Sequence, residues 1–175
     1  MDDKDIPHLI IDHNEQIDFP RIPEITRLMI SGGKGNPYEP LNLTANYVAM
    51  MNFNVPTVGF CLGHEFIAVL YQAKVKRLPE YQNKKQRLIL TDMDDPIFSG
   101  IAQPEFVIQK KHQFHIPTCP KDFKIIAHSE VCPVEIIRHV EKPIYGFQGH
   151  PGVSGKDGLL MMSNFLKMCG LEGAA

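Results

Sequence analysis

The chain has 175 residues, of which 43% are hydrophobic and 22% charged, and its formal net charge is −2. This length and composition are those of one globular domain, and they exclude disordered and fibrous proteins. The small negative charge and the scattered Lys and Arg residues argue against a surface for nucleic acid or an anionic membrane.

The N-terminal segment MDDKDIPHLIID is acidic where a secretory signal peptide would be basic. No apolar run approaches the roughly 18 residues that a membrane helix requires. We therefore expect a cytoplasmic protein with no membrane association. In a reducing compartment the four cysteines should be free thiols, and their spacing fits neither a disulfide framework nor a zinc site. They are Cys61, Cys119, Cys132 and Cys169.

Short β-branched or apolar runs predict eight strands along the chain. They cover residues 8–12, 27–31, 56–60, 87–90, 105–109, 123–129, 134–140 and 143–150. Helical periodicity predicts three helices, over 41–53, 62–73 and 156–169. The first would bury a face formed by Leu43, Tyr47, Met50 and Met51, and Gly170 is placed to end the last helix.

The runs on either side of residue 60 are apolar throughout, as in parallel strands that are covered on both faces. Residues 87–140 instead hold predicted strands with few helical signals between them, which indicates an antiparallel addition at one edge. The pattern predicts a single α/β domain over residues 1–175. Its three layers would be a mixed, mainly parallel sheet flanked by helices, with a small antiparallel addition.

The segment TVGFCLGHEF predicts a sharp turn from a strand into a helix, with Cys61 at the corner. This is the geometry of a nucleophile elbow, in which Gly59 and Gly63 leave room for the turn. The N-terminus of the helix would lower the pKa of the thiol, and the Leu62 N–H would face an oxyanion. The alternative is that Cys61 is a small buried hydrophobe at the end of a strand.

Two further segments would lie on the same rim of the sheet. His150 follows an apolar strand and precedes a proline, so it can serve as the base for the thiol; the alternative is a histidine in a surface loop. Gly32 and Gly33 follow another strand and can bring a second N–H to the oxyanion. Their context matches neither the phosphate loop nor the dinucleotide fingerprint.

Five segments carry a family resemblance, each in the expected order. The family motif SGGP is matched by Ser31–Lys34, GxCxGxQ by Gly59–Glu65, DPLF by Asp95–Phe98, CPVxAIxH by Cys132–His139, and PIYGVQFHPE by Pro143–Gly152. Over about residues 28–171 the chain therefore resembles class I (triad-type) glutamine amidotransferase domains, and in particular the glutaminase subunit or domain of GMP synthase. The resemblance implies a flavodoxin-like fold.

The resemblance also implies an activity. Cys61 would attack the side-chain amide of L-glutamine, His150 would transfer the protons, and the N–H groups of Gly33 and Leu62 would bind the oxyanion. Ammonia would pass to an ATP-pyrophosphatase synthetase subunit, which would hold ATP and Mg²⁺. No cofactor is expected in this domain. Assembly into a homo-oligomer is left open as an alternative. Candidate substrate-binding residues are Gly32, His112, Cys132, Pro133 and Val134.

Several positions depart from the family pattern. The triad glutamate two residues after the histidine is replaced by Gly152, the pocket glutamine by Glu65, and the phenylalanine before the histidine by Gly149. The segment SHxDEV retains only His112, and the region before the first motif is short. Glu65 or Asp157 could substitute for the missing acid, or Glu65 could simply interact with the helix dipole.

These departures leave two hypotheses. The chain is either a divergent glutaminase or an amidotransferase-like binding or regulatory subunit that has lost turnover. A metal site at His112 and His115 is disfavoured because HxxH needs a third ligand nearby.

Overall fold

The computed structural model describes residues 6–18, 22, 24–38 and 43–168. The strands are β1 (Leu28–Ile30), β2 (Thr57–Phe60), β3 (Lys76–Gln82), β4 (Lys85–Leu90), β5 (Glu105–Gln109), β6 (His112–His115), β7 (Phe123–His128), β8 (Ile136–His139) and β9 (Ile144–Phe147). The α-helices are α1 (Thr44–Asn52), α2 (Leu62–Leu70) and α3 (Gly155–Met168).

Seven strands form one mixed sheet in the order β1-β2-β9-β8-β7-β4-β5. β1, β2 and β9 are parallel neighbours, and each pairing from β9 through β8, β7 and β4 to β5 is antiparallel. The predicted mixed, mainly parallel sheet is confirmed in strand direction, because only β8 and β4 run against the rest. β3 and β6 form a separate antiparallel ribbon.

Helices cover both faces of the sheet, which gives the three predicted layers. On one face, Tyr145 and Phe147 of β9 belong to the same core cluster as Phe165 of α3. On the other face, Ile144 of β9 shares a cluster with Ile67 of α2. The alternation along β9 follows from the two-residue period of a strand, and it makes this central strand apolar on both sides.

Two predictions about the strands were wrong. Residues 8–12 form no strand, and the sequence reasoning missed β3 and β6. The ribbon strand KRLPEYQ buries only Leu78 and Gln82, so it lacks the apolar run on which strand prediction depends. The ribbon lies beside the candidate site, to which it contributes Tyr81 and residues 112–114.

The predicted buried face of α1 was right only in part, since Leu43 and Met50 pack partly buried against the core. The helix buries Ala45 and Ala49, whereas Tyr47 is 50% exposed and Met51 is 64% exposed. Small side chains on the buried face permit close packing, and they are weaker hydrophobic signals in a sequence than Tyr or Met. Cys169 and the predicted helix stop at Gly170 lie outside the described residues.

Candidate active site

The corner between β2 and α2 holds Cys61 in a strained conformation. Its φ is 50° and its ψ is −107°, a left-handed φ that a non-glycine residue adopts at a cost of about 1–3 kcal/mol. The Cys61 N–H donates to the Phe147 carbonyl at 2.8 Å, so the corner is tied to β9. A Cβ added at Gly59 would lie 2.5 Å from the Gly63 carbonyl oxygen, so the sharp turn requires glycine there. This is the elbow that the sequence predicted.

Gly32 brings the two predicted catalytic residues together. A Cβ placed on Gly32 would lie 3.3 Å from both Cys61 Cβ and His150 Cε1. A Cβ on Gly33 would lie 2.9 Å from Leu62 Cδ2, so the glycine loop packs against the first turn of α2. These contacts arise because β1, β2 and β9 are adjacent and parallel, and their carboxyl ends meet at one edge.

A cavity of about 150 Å³ opens at the thiol. It is lined by Gly33, Lys34, Gly35, Cys61, Glu65, Tyr81, Lys111, His112, Gln113 and Phe114. His112 is buried, and its Nδ1 lies 2.7 Å from the Phe114 carbonyl oxygen. Burial and the positive charge of Lys110 lower the pKa of His112 to about 3, so the ring is neutral. Nδ1 is then the donor, which leaves Nε2 as an acceptor with no partner among the described residues.

The other predicted substrate-binding residues do not line this cavity. Cys132 and Val134 are buried in the core. Pro133 lines a separate open depression of about 490 Å³ together with Thr91, Ile125, His128 and Ser129. The structure thus brings Gly32 and His112 to the thiol, whereas residues 132–134 are not among those that line the cavity.

The electrostatics of the thiol differ from the prediction. Cys61 is 4% exposed, and burial followed by the charge of Glu65 raises the pKa of the thiol to about 11. The Leu62 N–H and Lys110 oppose this shift without reversing it. The expected lowering of the thiol pKa was therefore wrong, because desolvation outweighs the N-terminus of the helix. The Sγ lies 3.7 Å from the Lys111 carbonyl, a contact that suits a protonated thiol.

His150 is half-buried, and its backbone N–H donates a hydrogen bond to the Gln109 carbonyl at 3.0 Å. Burial, with smaller contributions from Lys110 and Lys111, lowers the pKa of its imidazole, and Nε2 has no partner among the described residues. Gly152, at the position of the family's triad acid, is exposed, and a Cβ added there would meet nothing within 4 Å. No carboxylate at that position supports the ring.

Glu65 lies beside the thiol and is only 2% exposed. Its Oε1 accepts a hydrogen bond from Gln148 Nε2 at 3.0 Å, and burial raises the pKa of the carboxyl to about 7. Glu65 also occupies the first turn of α2, where an acid interacts favourably with the helix dipole. Asp157, the other suggested acid, is exposed in the first turn of α3.

The sequence reasoning missed a buried ion pair next to the site. Lys110 is 2% exposed and Glu135 is fully buried, and the two side chains form a salt bridge. The Glu135 Oε1 also accepts from Ser129 Oγ at 2.6 Å. A signal for Lys110 was present, because Phe106 and Ile108 alternate as buried residues of β5 and residue 110 continues that alternation.

Neither a metal cluster nor a membrane span is present in the described part of the chain. No three His, Cys, Asp or Glu side chains there are grouped so as to hold a metal ion. No helix within those residues has the length and apolar character needed to cross a bilayer.

Comparison with known proteins adds the family. The model for glutamine amidotransferase class-I matches residues 8–169. The chain is 33% identical over 152 residues to a glutamine-hydrolyzing GMP synthase subunit of Methanococcus aeolicus, and the match covers 86% of this chain and 77% of that protein. It is 37% identical over 119 residues to the subunit of the same name from Pyrococcus abyssi, over 67% of this chain and 62% of that one.

Solved structures agree with these matches. A protein from Thermoplasma acidophilum, described as the same GMP synthase subunit, superposes with a TM-score of 0.76 at 30% identity, over 83% of this chain and 73% of that one. A glutamine amidotransferase from Thermotoga maritima has a TM-score of 0.62 at 16% identity, and the match covers 80% of this chain and 61% of that one. The two proteins therefore share the fold.

Proposed function

The chain belongs to the class-I glutamine amidotransferase family, and on that basis we propose that it hydrolyses L-glutamine at Cys61 and passes the ammonia to a separate synthetase subunit. The observation that carries the proposal is the strained Cys61 corner, packed through Gly32 against His150. The similarity of the chain to the glutamine-hydrolyzing subunit of GMP synthase points to a synthetase of that type. ATP and Mg²⁺ would belong to that partner, and this domain would need no cofactor.

The reaction would proceed in two stages. Cys61 Sγ attacks the amide carbon of glutamine, and His150 accepts the thiol proton. Backbone N–H groups of Gly33 and Leu62 stabilise the oxyanion of the tetrahedral intermediate. When this intermediate collapses, His150 returns the proton to the leaving ammonia and a γ-glutamyl thioester remains. His150 then takes a proton from water, whose oxygen attacks the thioester. As the C–S bond breaks, His150 returns this proton to the sulfur, and glutamate and the free thiol are released.

The cavity suits a zwitterionic amino acid. Its interior offers the Glu65 carboxyl and the His112 Nε2 as acceptors for an α-ammonium group. The exposed residues Lys34 and Lys111 line the same cavity and can attract the α-carboxylate. The side-chain amide of the ligand can then reach Cys61. Gly32 would act by positioning, whereas Cys132 and Val134 would act only as core residues.

A second candidate function is a binding or regulatory subunit without turnover. It is favoured by the pKa of Cys61, about 11, and by the absence of an acid at Gly152. With a protonated thiol and an unsupported imidazole, the cavity could hold glutamine without cleaving it.

The two functions can be separated with purified protein. Ammonia and glutamate release from L-glutamine would be measured beside a Cys61→Ala control, and glutamine binding would be followed by calorimetry. Turnover that is absent from Cys61→Ala supports the glutaminase. Glutamine binding with neither turnover nor labelling of Cys61 by a glutamine-mimicking chloroketone supports the binding subunit. Absence of binding, turnover and labelling would refute both.

A further inference from the structure

The buried Lys110–Glu135 pair joins segments that contact both proposed catalytic residues. Lys110 sits between two residues whose carbonyls contact the site: Gln109 accepts from the His150 N–H at 3.0 Å, and the Lys111 carbonyl lies 3.7 Å from Cys61 Sγ. Because one three-residue segment touches both catalytic residues, the position of Lys110 influences both.

Glu135 anchors the same arrangement from a second segment. Its carbonyl accepts from the Gln148 N–H at 2.8 Å, two residues before His150. Its carboxylate binds both Lys110 and Ser129 Oγ. The pair therefore joins the segment after β5, the loop before β8 and the end of β9.

A buried ammonium is unfavourable unless it is paired, and breaking such a pair leaves an uncompensated charge. The desolvation cost of the buried Lys110 ammonium suggests that its charge has a role at the nearby nucleophile. The Lys110 charge acts on Cys61, where it favours the thiolate, and on His150 and His112, where it favours the neutral ring.

We propose that Lys110, held by Glu135, is a positioning residue that supplies a fixed positive charge to the surroundings of Cys61. This inference rests on the proposed role of Cys61 as the nucleophile. In the family pattern a carboxylate stabilises the imidazolium, but here a cation stabilises the thiolate and the oxyanion that follows it. The charge is preorganised, because the ion pair and the backbone contacts fix it before substrate binds.

Other groups around the thiol act in different ways. Glu65 opposes the thiolate from within α2. His112 and His150 are held neutral and carry no competing charge. Lys111 is exposed on the cavity wall, where water screens it. Among the described Lys and Arg residues that line or support the site, Lys110 is the one whose side chain is buried.

The test compares two double variants. Lys110→Met/Glu135→Leu removes both buried charges and leaves no unpaired partner. Arg87→Met/Glu105→Leu is the matched control, because it removes an exposed ion pair from the neighbouring strands β4 and β5. Circular dichroism and urea unfolding would confirm that each variant is folded. Peptide mass spectrometry would give the rate of Cys61 alkylation by iodoacetamide and by iodoacetate between pH 7.5 and 9.5.

We expect Cys61 alkylation to be about threefold to tenfold slower in the buried double variant and unchanged in the control. A rise of about one unit in thiol pKa lowers the thiolate fraction tenfold, and a more basic thiolate recovers part of that loss. The ratio of iodoacetate to iodoacetamide rates should also fall, because the anionic reagent loses a nearby cation. Lys110→Arg, which keeps the charge, should retain wild-type values for both.

Unchanged rates and an unchanged reagent ratio in a folded buried double variant would overturn the proposal. If that variant does not fold, the Lys110→Arg variant provides the test. A folded Lys110→Arg protein whose Cys61 alkylation rates are reduced threefold or more would refute the role of the charge. Alkylation needs no turnover, so failure of the glutaminase assay alone would leave this result intact.

Discussion

Placing a carboxylate at Gly152 is the sharpest test of the candidate active site. The position is exposed, its φ is not positive, and a Cβ there meets nothing within 4 Å. Gly152→Glu should therefore fold normally and change stability by no more than about 0.5 kcal/mol. The new carboxylate would stand two residues after His150, where the family pattern has its triad acid.

The magnitude follows from the two pKa values. The thiol pKa is about 11, and the pKa of His150 is below 6.5. Moving the proton from Cys61 to His150 then costs more than about 6 kcal/mol. A carboxylate within about 4–6 Å of the imidazole raises its pKa by roughly one to three units, which favours the ion pair tenfold or more. Because the new side chain is exposed, we expect a tenfold to hundredfold gain in kcat/KM.

The assay is ammonia release from L-glutamine between pH 6 and 9, together with the rate of Cys61 labelling by a chloroketone. Gly152→Gln is the control because it has nearly the same shape without the charge. The combination Gly152→Glu with Cys61→Ala must be inactive. Equal labelling and equal turnover in folded Gly152→Glu and Gly152→Gln would refute the reasoning that His150 lacks only a charged partner.

Three further predictions concern the buried groups. Glu65→Gln should speed Cys61 alkylation about tenfold near pH 8, since the opposing charge is lost. The difference in stability between Glu65→Gln and wild type, from urea unfolding, should grow by roughly 3 kcal/mol between pH 4.5 and pH 8. Wild type loses stability over this range because the folded pKa of Glu65, about 7, exceeds the unfolded value, and a flat difference would contradict this. Lys110→Met alone should cost about 3–5 kcal/mol in urea unfolding, far more than the double variant with Glu135→Leu, and equal costs would argue against a buried pair. Gly149→Ala should lose about 1–3 kcal/mol, because its Cβ would lie 2.6 Å from Ile108 Cδ1, and a neutral effect on the unfolding midpoint would show that Ile108 moves freely.

The elbow could be predicted from the sequence because its signals are local. Gly59, Cys61 and Gly63 stand at spacings that only a tight turn requires, and apolar runs precede both Cys61 and His150. Parallel strands then bring their ends together without any further information. The strongly apolar strands were predicted for the same reason.

The electrostatics of the site could not be predicted in this way. The pKa of Cys61 depends on how deeply the corner is buried and on Glu65 and Lys110, and that burial arises from the whole fold. The Lys110–Glu135 pair joins residues 25 positions apart on segments that meet only in the folded sheet. The ribbon of β3 and β6 was missed because its strands are largely polar, although it forms one wall of the cavity.

The tight packing around Gly149 bears on how this active site can change over generations. The open surroundings of Gly152 would accept a glutamate with no other change in the structure. Gly149 is different, because the Ile108 side chain and the Gln109 carbonyl oxygen fill the space that a larger residue would need. A larger side chain at Gly149 would require prior change on β5, so that substitution depends on a second one, whereas a carboxylate at Gly152 does not.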